Sequence, residues 1–206
     1  MYHVDLRQHK LTVAVPYSGQ TRALRTVVRT RGDLVQTRVA TANQLTALLE
    51  DCWPGAAVIF AGIASPIALA FLARYPTPDS ARHLGEKRIA AFCASHHYTG
   101  RRTAAELLER LRSAPAGTTD QAITVGLADA VLALAAVLTA LSAAIKNLNQ
   151  SATARLGEHP DGAIFTSLPR SGQISAAQML AEWGDCRQAC EHPDSVAALA
   201  GVTPRH

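Results

Sequence analysis

The 206-residue sequence predicts a mainly α-helical protein, and three observations carry that expectation. Hydrophobic residues make up 48% of the chain but aromatic ones only 5%, and strands normally draw on aromatic and β-branched side chains. Two long segments repeat their apolar residues at a helical period. Pro and Gly cut the remainder into short pieces. The architecture expected is two long antiparallel coiled-coil helices with a short helical insert, followed by a small helix-hairpin-helix C-terminal domain.

In chain order, Leu11 to Val15 (L-T-V-A-V) is a β-type run that stops at Pro16 and supports one short strand. Ser18 to Asp51 follows as a long helix. Leu24, Val28, Val35, Val39, Ala42, Leu45 and Leu49 share one face, and Arg22, Arg25 and Arg29 lie opposite. Arg31 and Arg38 sit at the edge of the apolar face, placed either to pair with a facing acid or to snorkel past the seam. Residues 52–117 read as the insert, with short helices at Pro66 to Arg74, Glu86 to Ser95 and Thr103 to Arg112. No charge occurs from Cys52 to Ala73, a length that suits a membrane span. Pro54, Pro66, Gly55 and Gly62 break such a helix, so short buried pieces and no membrane partner are expected.

Thr118 to Leu156 is the second long helix. Leu127, Val131, Leu134, Leu138, Leu141, Ile145 and Leu148 alternate steps of four and three, the a/d pattern of a coiled coil. The two long helices are expected to pair within the chain, and a homo-oligomer through the same seam stays open. Near the end, Leu168 to Asp185 (L-P-R-S-G-Q-I-S-A-A-Q-M-L-A-E-W-G-D) writes a Pro/Gly hairpin that opens a helix. Free N–H groups at that helix start suit a phosphate, and the same hairpin suits plain helix packing.

A net charge of +4 and a pI near 9.1 fit a polyanionic partner. The candidate phosphate contacts are Arg22, Arg25 and Arg29 at helical spacing, the adjacent Arg101 and Arg102, and the hairpin residues Arg170, Ser171, Gly172 and Gln173. Ordinary solvated arginines give the same pattern. His96, His97 and Tyr98 run into Gly100, Arg101 and Arg102, a cluster that suits nucleic acid and equally a helix C-terminus with a basic turn. From four cysteines without framework spacing and an N-terminus without a signal core, a reducing cytoplasm is expected. Cys93, His96 and His97, with Cys186, Cys190 and His192, supply zinc ligands only if the two groups meet, and neither has paired C-x-x-C geometry. No phosphate-loop or dinucleotide fingerprint is present, so nucleotide-cofactor enzymes find no support in the sequence.

Several strings in order carry a resemblance. They are T-R-A-L-R-T-V-V-R-T-R-G-D-L-V (Thr21 to Val35), W-P-G-A-A (Trp53 to Ala57), S-P-I-A-L-A-F-L-A-R-Y-P-T-P (Ser65 to Pro78), H-P-D-G-A-I-F (His159 to Phe165), the hairpin, and A-A-L-A-G-V-T-P-R (Ala197 to Arg205). Together they span roughly nine-tenths of the chain, which resembles the insertion-sequence transposases of the IS one-ten family, DEDD-type and bridge-RNA-guided. That resemblance implies DNA and a structured guide RNA as partners. It also implies an RNase-H-like domain whose four acidic residues hold Mg²⁺, and a C-terminal domain whose serine attacks DNA.

Against that pattern the family serine is expected just past His206. Residues 1–17 are expected to be the tail of the RNase-H-like domain, 18–156 the coiled-coil region with its insert, and 157–206 a truncated C-terminal domain. Asp5 is then the one weak catalytic candidate, and no cofactor is expected in the chain itself. The function expected is that of a transposase fragment that binds and assembles in DNA transposition or recombination. The alternative is a helical scaffold or dimerisation module with no nucleic-acid role.

Overall fold

A computed structural model describes residues 16–185. The Leu11 to Val15 run, Asp5, the Cys186, Cys190 and His192 group and the Ala197 to Arg205 string lie outside the described residues. Within them the protein is helical, with no strand: α1 (Gly19–Cys52), α2 (Pro54–Val58), α3 (Pro66–Arg74), α4 (Pro78–Ala81), α5 (Glu86–Ser95), α6 (Ala104–Ser113), α7 (Gln121–Glu158), α8 (Gly162–Thr166) and α9 (Gln173–Trp183).

Local chemistry sets the helix starts. Ser18 Oγ accepts from Thr21 N at 3.2 Å, satisfying an orphan donor of α1. Asp120 Oδ1 accepts from the N–H groups of Ala122 and Ile123 at 2.8 and 3.2 Å, so α7 begins at Gln121, three residues after the predicted Thr118. Thr103 and Glu106 cap α6 reciprocally, and Ser65 caps α3. Backbone hydrogen bonds from Thr103 are the main reason that the Glu106 carboxyl sits below its usual range.

The chain divides into two compact units, one built from its two ends, up to Arg31 and from Leu148, the other from Gly32–Asn147. In the first, Leu24 and Val28 of α1 bury against Ala152 and Leu156 of α7 and Ala176, Ala177, Leu180 and Ala181 of α9. Four small alanines let these helices approach closely. The two long helices run antiparallel here: Arg31 Nε donates to Asn149 Oδ1 at 3.0 Å, and Thr21 Oγ1 meets His159 Nε2 at 2.9 Å. His159 Nδ1 accepts from Asp161 N at 3.1 Å, so the ring proton lies on Nε2 and Thr21 accepts it. The W-G-D end of the hairpin string closes the unit. Gly184 has φ +80, and a Cβ there would stand 2.3 Å from the Tyr17 ring, so only glycine fits.

In the second unit Leu45 and Leu49 of α1 and Leu127, Val131, Ala135 and Leu138 of α7 share a core with the insert. Antiparallel register is again visible, with Arg38 bonded to Ser142 and Thr118 N donating to Cys52 O. Six of the ten aromatic residues fall between Trp53 and Tyr98. Phe71 is their hub, with ring centroids 6.1 Å from Trp53, 5.7 Å from Phe60, 5.2 Å from Tyr75 and 5.8 Å from Phe92. The insert therefore supplies the aromatic part of a core that it shares with the long helices.

Three sequence expectations need correction. Val39, placed on the apolar face, is 48% exposed, and the neighbouring Arg38 turns inward instead. Among the described residues neither Arg31 nor Arg38 finds an acid: Arg38 bonds Ser142 Oγ and the carbonyl of Ala64, both at 3.2 Å, and Arg31 bonds an amide oxygen. On α7 the strict heptad is only partly obeyed. Leu127, Val131 and Leu138 are buried while Leu134, Leu141, Ile145 and Leu148 are half-buried, and Ala135 takes a core position. A straight helix at 3.6 residues per turn drifts off a 3.5 repeat, which brings the i+4 residue Ala135 inward. α7 is also long and apolar enough, by length and composition, to cross a membrane, and Ile123, Val125, Leu132 and Val137 on it are exposed.

Candidate nucleic-acid interface

The hairpin joins α8 to α9 through six residues. Ser171 N donates to Leu168 O at 3.1 Å, which closes a turn that projects Leu168, Pro169 and Arg170 to solvent. Arg170 adopts φ +62, a left-handed conformation that costs an L-residue with a Cβ about 1 kcal/mol. Gly172 caps α9 with no side-chain hydrogen bond, and the first intrahelical bond is Ala176 N to Gly172 O at 2.9 Å. The first-turn N–H groups at Gln173 are thus left to an outside acceptor, with the positive end of the helix behind them. Ser171 is not the cap. Its hydroxyl is shielded from solvent and has no hydrogen-bond partner among the described residues.

The three helix arginines divide. Arg22 is exposed. Arg25 Nη2 lies 3.1 Å from Glu182 Oε2, and Arg29 grips the same carboxylate with Nε at 3.0 Å and Nη2 at 2.9 Å. The Arg29 hydrogen bond is the main reason that the Glu182 carboxyl is held below its usual range. Arg25 also lies over the Tyr17 ring at 5.1 Å. Next along, Asp185 accepts from Ser18 N at 3.1 Å; burial raises its pKa, but hydrogen bonds from Ser18 outweigh that and lower it overall. The face predicted as bare arginine is therefore partly neutralised by α9. Sequence reasoning missed Glu182, although the four-residue spacing of Arg25 and Arg29 was the available signal for a shared partner.

Arg101 and Arg102 belong to the other unit, on the exposed loop between α5 and α6. The seam residues Leu127, Val131 and Leu138 are consumed inside the chain. As for the implied Mg²⁺, no group of three or more His, Cys, Asp or Glu among the described residues stands together to hold a metal ion.

Comparison with known proteins finds transposase-like sequences. Residues 162–206 match the family described as "Transposase IS116/IS110/IS902 family". Over 195 residues the chain is 29% identical to the "Mini-circle putative transposase for IS117" of Streptomyces coelicolor, covering 91% of this chain and 46% of the relative. Over 188 residues it is 30% identical to the "Insertion element IS900 uncharacterized 42 kDa protein" of Mycobacterium paratuberculosis, covering 88% of this chain and 45% of that protein. The chain thus spans about half the length of the curated relatives it matches. No solved structure matches it. The hairpin and α9 lie inside the segment that matches the IS116/IS110/IS902 transposase family, and two insertion-element proteins align with nearly all of this chain's length.

Proposed function

We propose that this chain supplies nucleic-acid binding and assembly for DNA transposition, through a helix-hairpin-helix formed by α8, the Leu168 to Gln173 hairpin and α9. The observation that carries the reading is the open start of α9: uncapped N–H groups at Gly172 and Gln173 behind a projecting Arg170, inside the family-matched segment. Backbone donors of this kind read phosphate and not base sequence, so the binding they support is positional. Arg22 extends the surface along α1. Arg25 and Arg29 contribute once a phosphate displaces Glu182, and Arg101 and Arg102 offer a separate basic loop.

DNA is the partner this reading favours, with a structured guide RNA as the second, in a cytoplasmic setting. The described residues offer no acidic cluster for two-metal cleavage, and Asp5 stays the lone candidate from the sequence. Self-association through α7 is part of the proposal, and it would use exposed Leu132 and Val137, since Leu127, Val131 and Leu138 are already packed. The rival is a scaffold that binds no nucleic acid.

Filter binding of element-end DNA across a salt series separates the two. Phosphate neutralisation gives affinity that falls steeply with salt, by about 0.9 log units per contact for each tenfold rise. Replacing Arg22, Arg25 and Arg29 with Glu is expected to weaken binding evenly across sequences. No salt-dependent binding at all would establish the scaffold instead.

A further inference from the structure

The loop after α5 forms one wall of a cavity of about 770 Å³ within the second unit, opposite the turn that enters α3. Its construction starts with a helix ending. α5 stops in a Schellman arrangement, with His97 N donating to Ala94 O at 3.2 Å and Tyr98 N to Cys93 O at 2.9 Å. The left-handed residue that this ending requires is usually glycine, yet here it is His97 at φ +50. The reversal carries Tyr98 back toward the insert core. There its ring meets Phe60 edge-on, with centroids 5.8 Å apart.

The backbone also fixes Tyr98. A Cβ on Gly100 would stand 2.1 Å from both Cζ and Oη of the Tyr98 ring, so the main chain at Gly100 passes directly against it. Phe60 and Gly100 thus fix the half-buried ring in the cavity lining, at little entropic cost to any ligand that stacks there. His96, over Phe92 at 4.4 Å, adds a second exposed ring to the same lining. Arg101 and Arg102 stand exposed at the rim. Neither has a hydrogen bond or ion pair with another described residue; the Glu106 carboxylate, on which the Arg102 charge acts, is hydrogen-bonded to Thr103 N and Oγ1.

We propose that this cavity binds an unstacked nucleotide of a single-stranded nucleic acid, the base against Tyr98 and the phosphates on Arg101 and Arg102. Fixed aromatic faces beside paired guanidinium groups are the chemistry that holds single strands. A concave site also selects a base that has left its stack, whereas a regular duplex presents only its backbone. No use of this cavity is made by the hairpin, which lies in the other unit. The inference rests on the proposal that the chain binds nucleic acid, and the experiment separates the two.

The full chain is titrated with RNA and DNA hairpins that carry a single-stranded loop with one 2-aminopurine, and with fully paired duplexes of the same sequence. Two variants remove the site differently. Tyr98→Ala deletes the stacking face, and Ala61→Leu fills the cavity from an exposed lining position without removing any packed group. Both are expected to weaken loop binding roughly tenfold and to abolish 2-aminopurine quenching, with duplex affinity unchanged. Tyr98→Phe is expected to keep both. Arg101→Gln with Arg102→Gln is expected to reduce the salt slope for loops by about 1.4. The RNA and DNA arms show which strand the site takes. Loop binding and quenching that survive in Ala61→Leu overturn the cavity inference while salt-dependent duplex binding upholds the hairpin reading. A chain that binds no oligonucleotide at any salt overturns both.

Discussion

Removing the carboxylate of Glu182 is expected to strengthen nucleic-acid binding while weakening the fold. Two guanidinium groups share this side chain at 2.9 to 3.1 Å, and any phosphate approaching Arg25 or Arg29 must compete with it. At that separation in water, each pair is worth about 1.4 kcal/mol by Coulomb's law. Glu182 is 52% exposed and Arg29 58%, so screening and side-chain entropy reduce the net value to about 0.5 kcal/mol per arginine. Glu182→Gln then releases about 1 kcal/mol of competition, an affinity gain of about fivefold at low salt.

The salt response is the sharper signature. Two newly available phosphate contacts steepen the slope by about 1.8, so raising salt from about 50 to 200 mM costs the variant an extra factor of about 12. The same substitution removes about 1 kcal/mol of folding stability and lowers Tm by about 2 to 4 °C. Fluorescence anisotropy with element-end duplexes across salt, beside a thermal melt, reads both. A variant that loses stability but binds with the parental affinity and slope would show that Arg25 and Arg29 serve only to dock α9, and would remove them from the interface.

Three further outcomes follow from the geometry. Arg170→Gly relieves the left-handed strain at φ +62 and is expected to raise Tm by about 2 to 4 °C while weakening phosphate binding; a fall in Tm refutes the strain argument. Val39→Lys is expected to change stability by less than about 0.5 kcal/mol in urea melts, whereas Leu180→Ala, fully buried, costs about 2 to 5 kcal/mol, and equal effects would contradict the burial pattern. Glu182, Asp185 and Glu106 are lowered in the folded state, so their stabilisation is complete above the ordinary carboxylate range and drains away as pH falls through their folded values. Tm is expected to hold above about pH 5 and to drop below about pH 4, and Glu182→Gln to flatten that drop.

Helix boundaries were legible because their signals are local. α3 and α5 match their predicted bounds, since a Ser-Pro start and a Gly before a charged first turn depend on neighbouring residues alone. What was missed depends on partners far along the chain. Arg38 turns inward because Ser142 and the Ala64 carbonyl wait for it, and no periodicity in α1 announces them. Glu182 lies 153 residues from Arg29, so a face that reads as open and basic is half-closed by a helix whose own pattern gives no hint of that contact.

The two candidate sites differ in the same way. The hairpin was readable because Pro169 and Gly172 dictate a turn wherever they occur, and the structure adds only that the left-handed position is Arg170. At the α5 ending the sequence H-H-Y-T-G-R-R showed the basic turn but not the cavity, because the wall depends on Phe60, nearly forty residues earlier. Both places put a charged or aromatic side chain where a glycine would relax the backbone: Arg170 at φ +62 and His97 at φ +50. Strain alone assigns no role. Yet in a chain whose described residues have no other non-glycine at positive φ, one strained position is itself an exposed arginine and the other precedes Arg101 and Arg102 on the same loop, and each sets the direction of the group we assign to nucleic acid. If His97→Gly relaxes the loop, stacking at Tyr98 should loosen with it while the fold gains stability, the same exchange that Arg170→Gly makes at the hairpin.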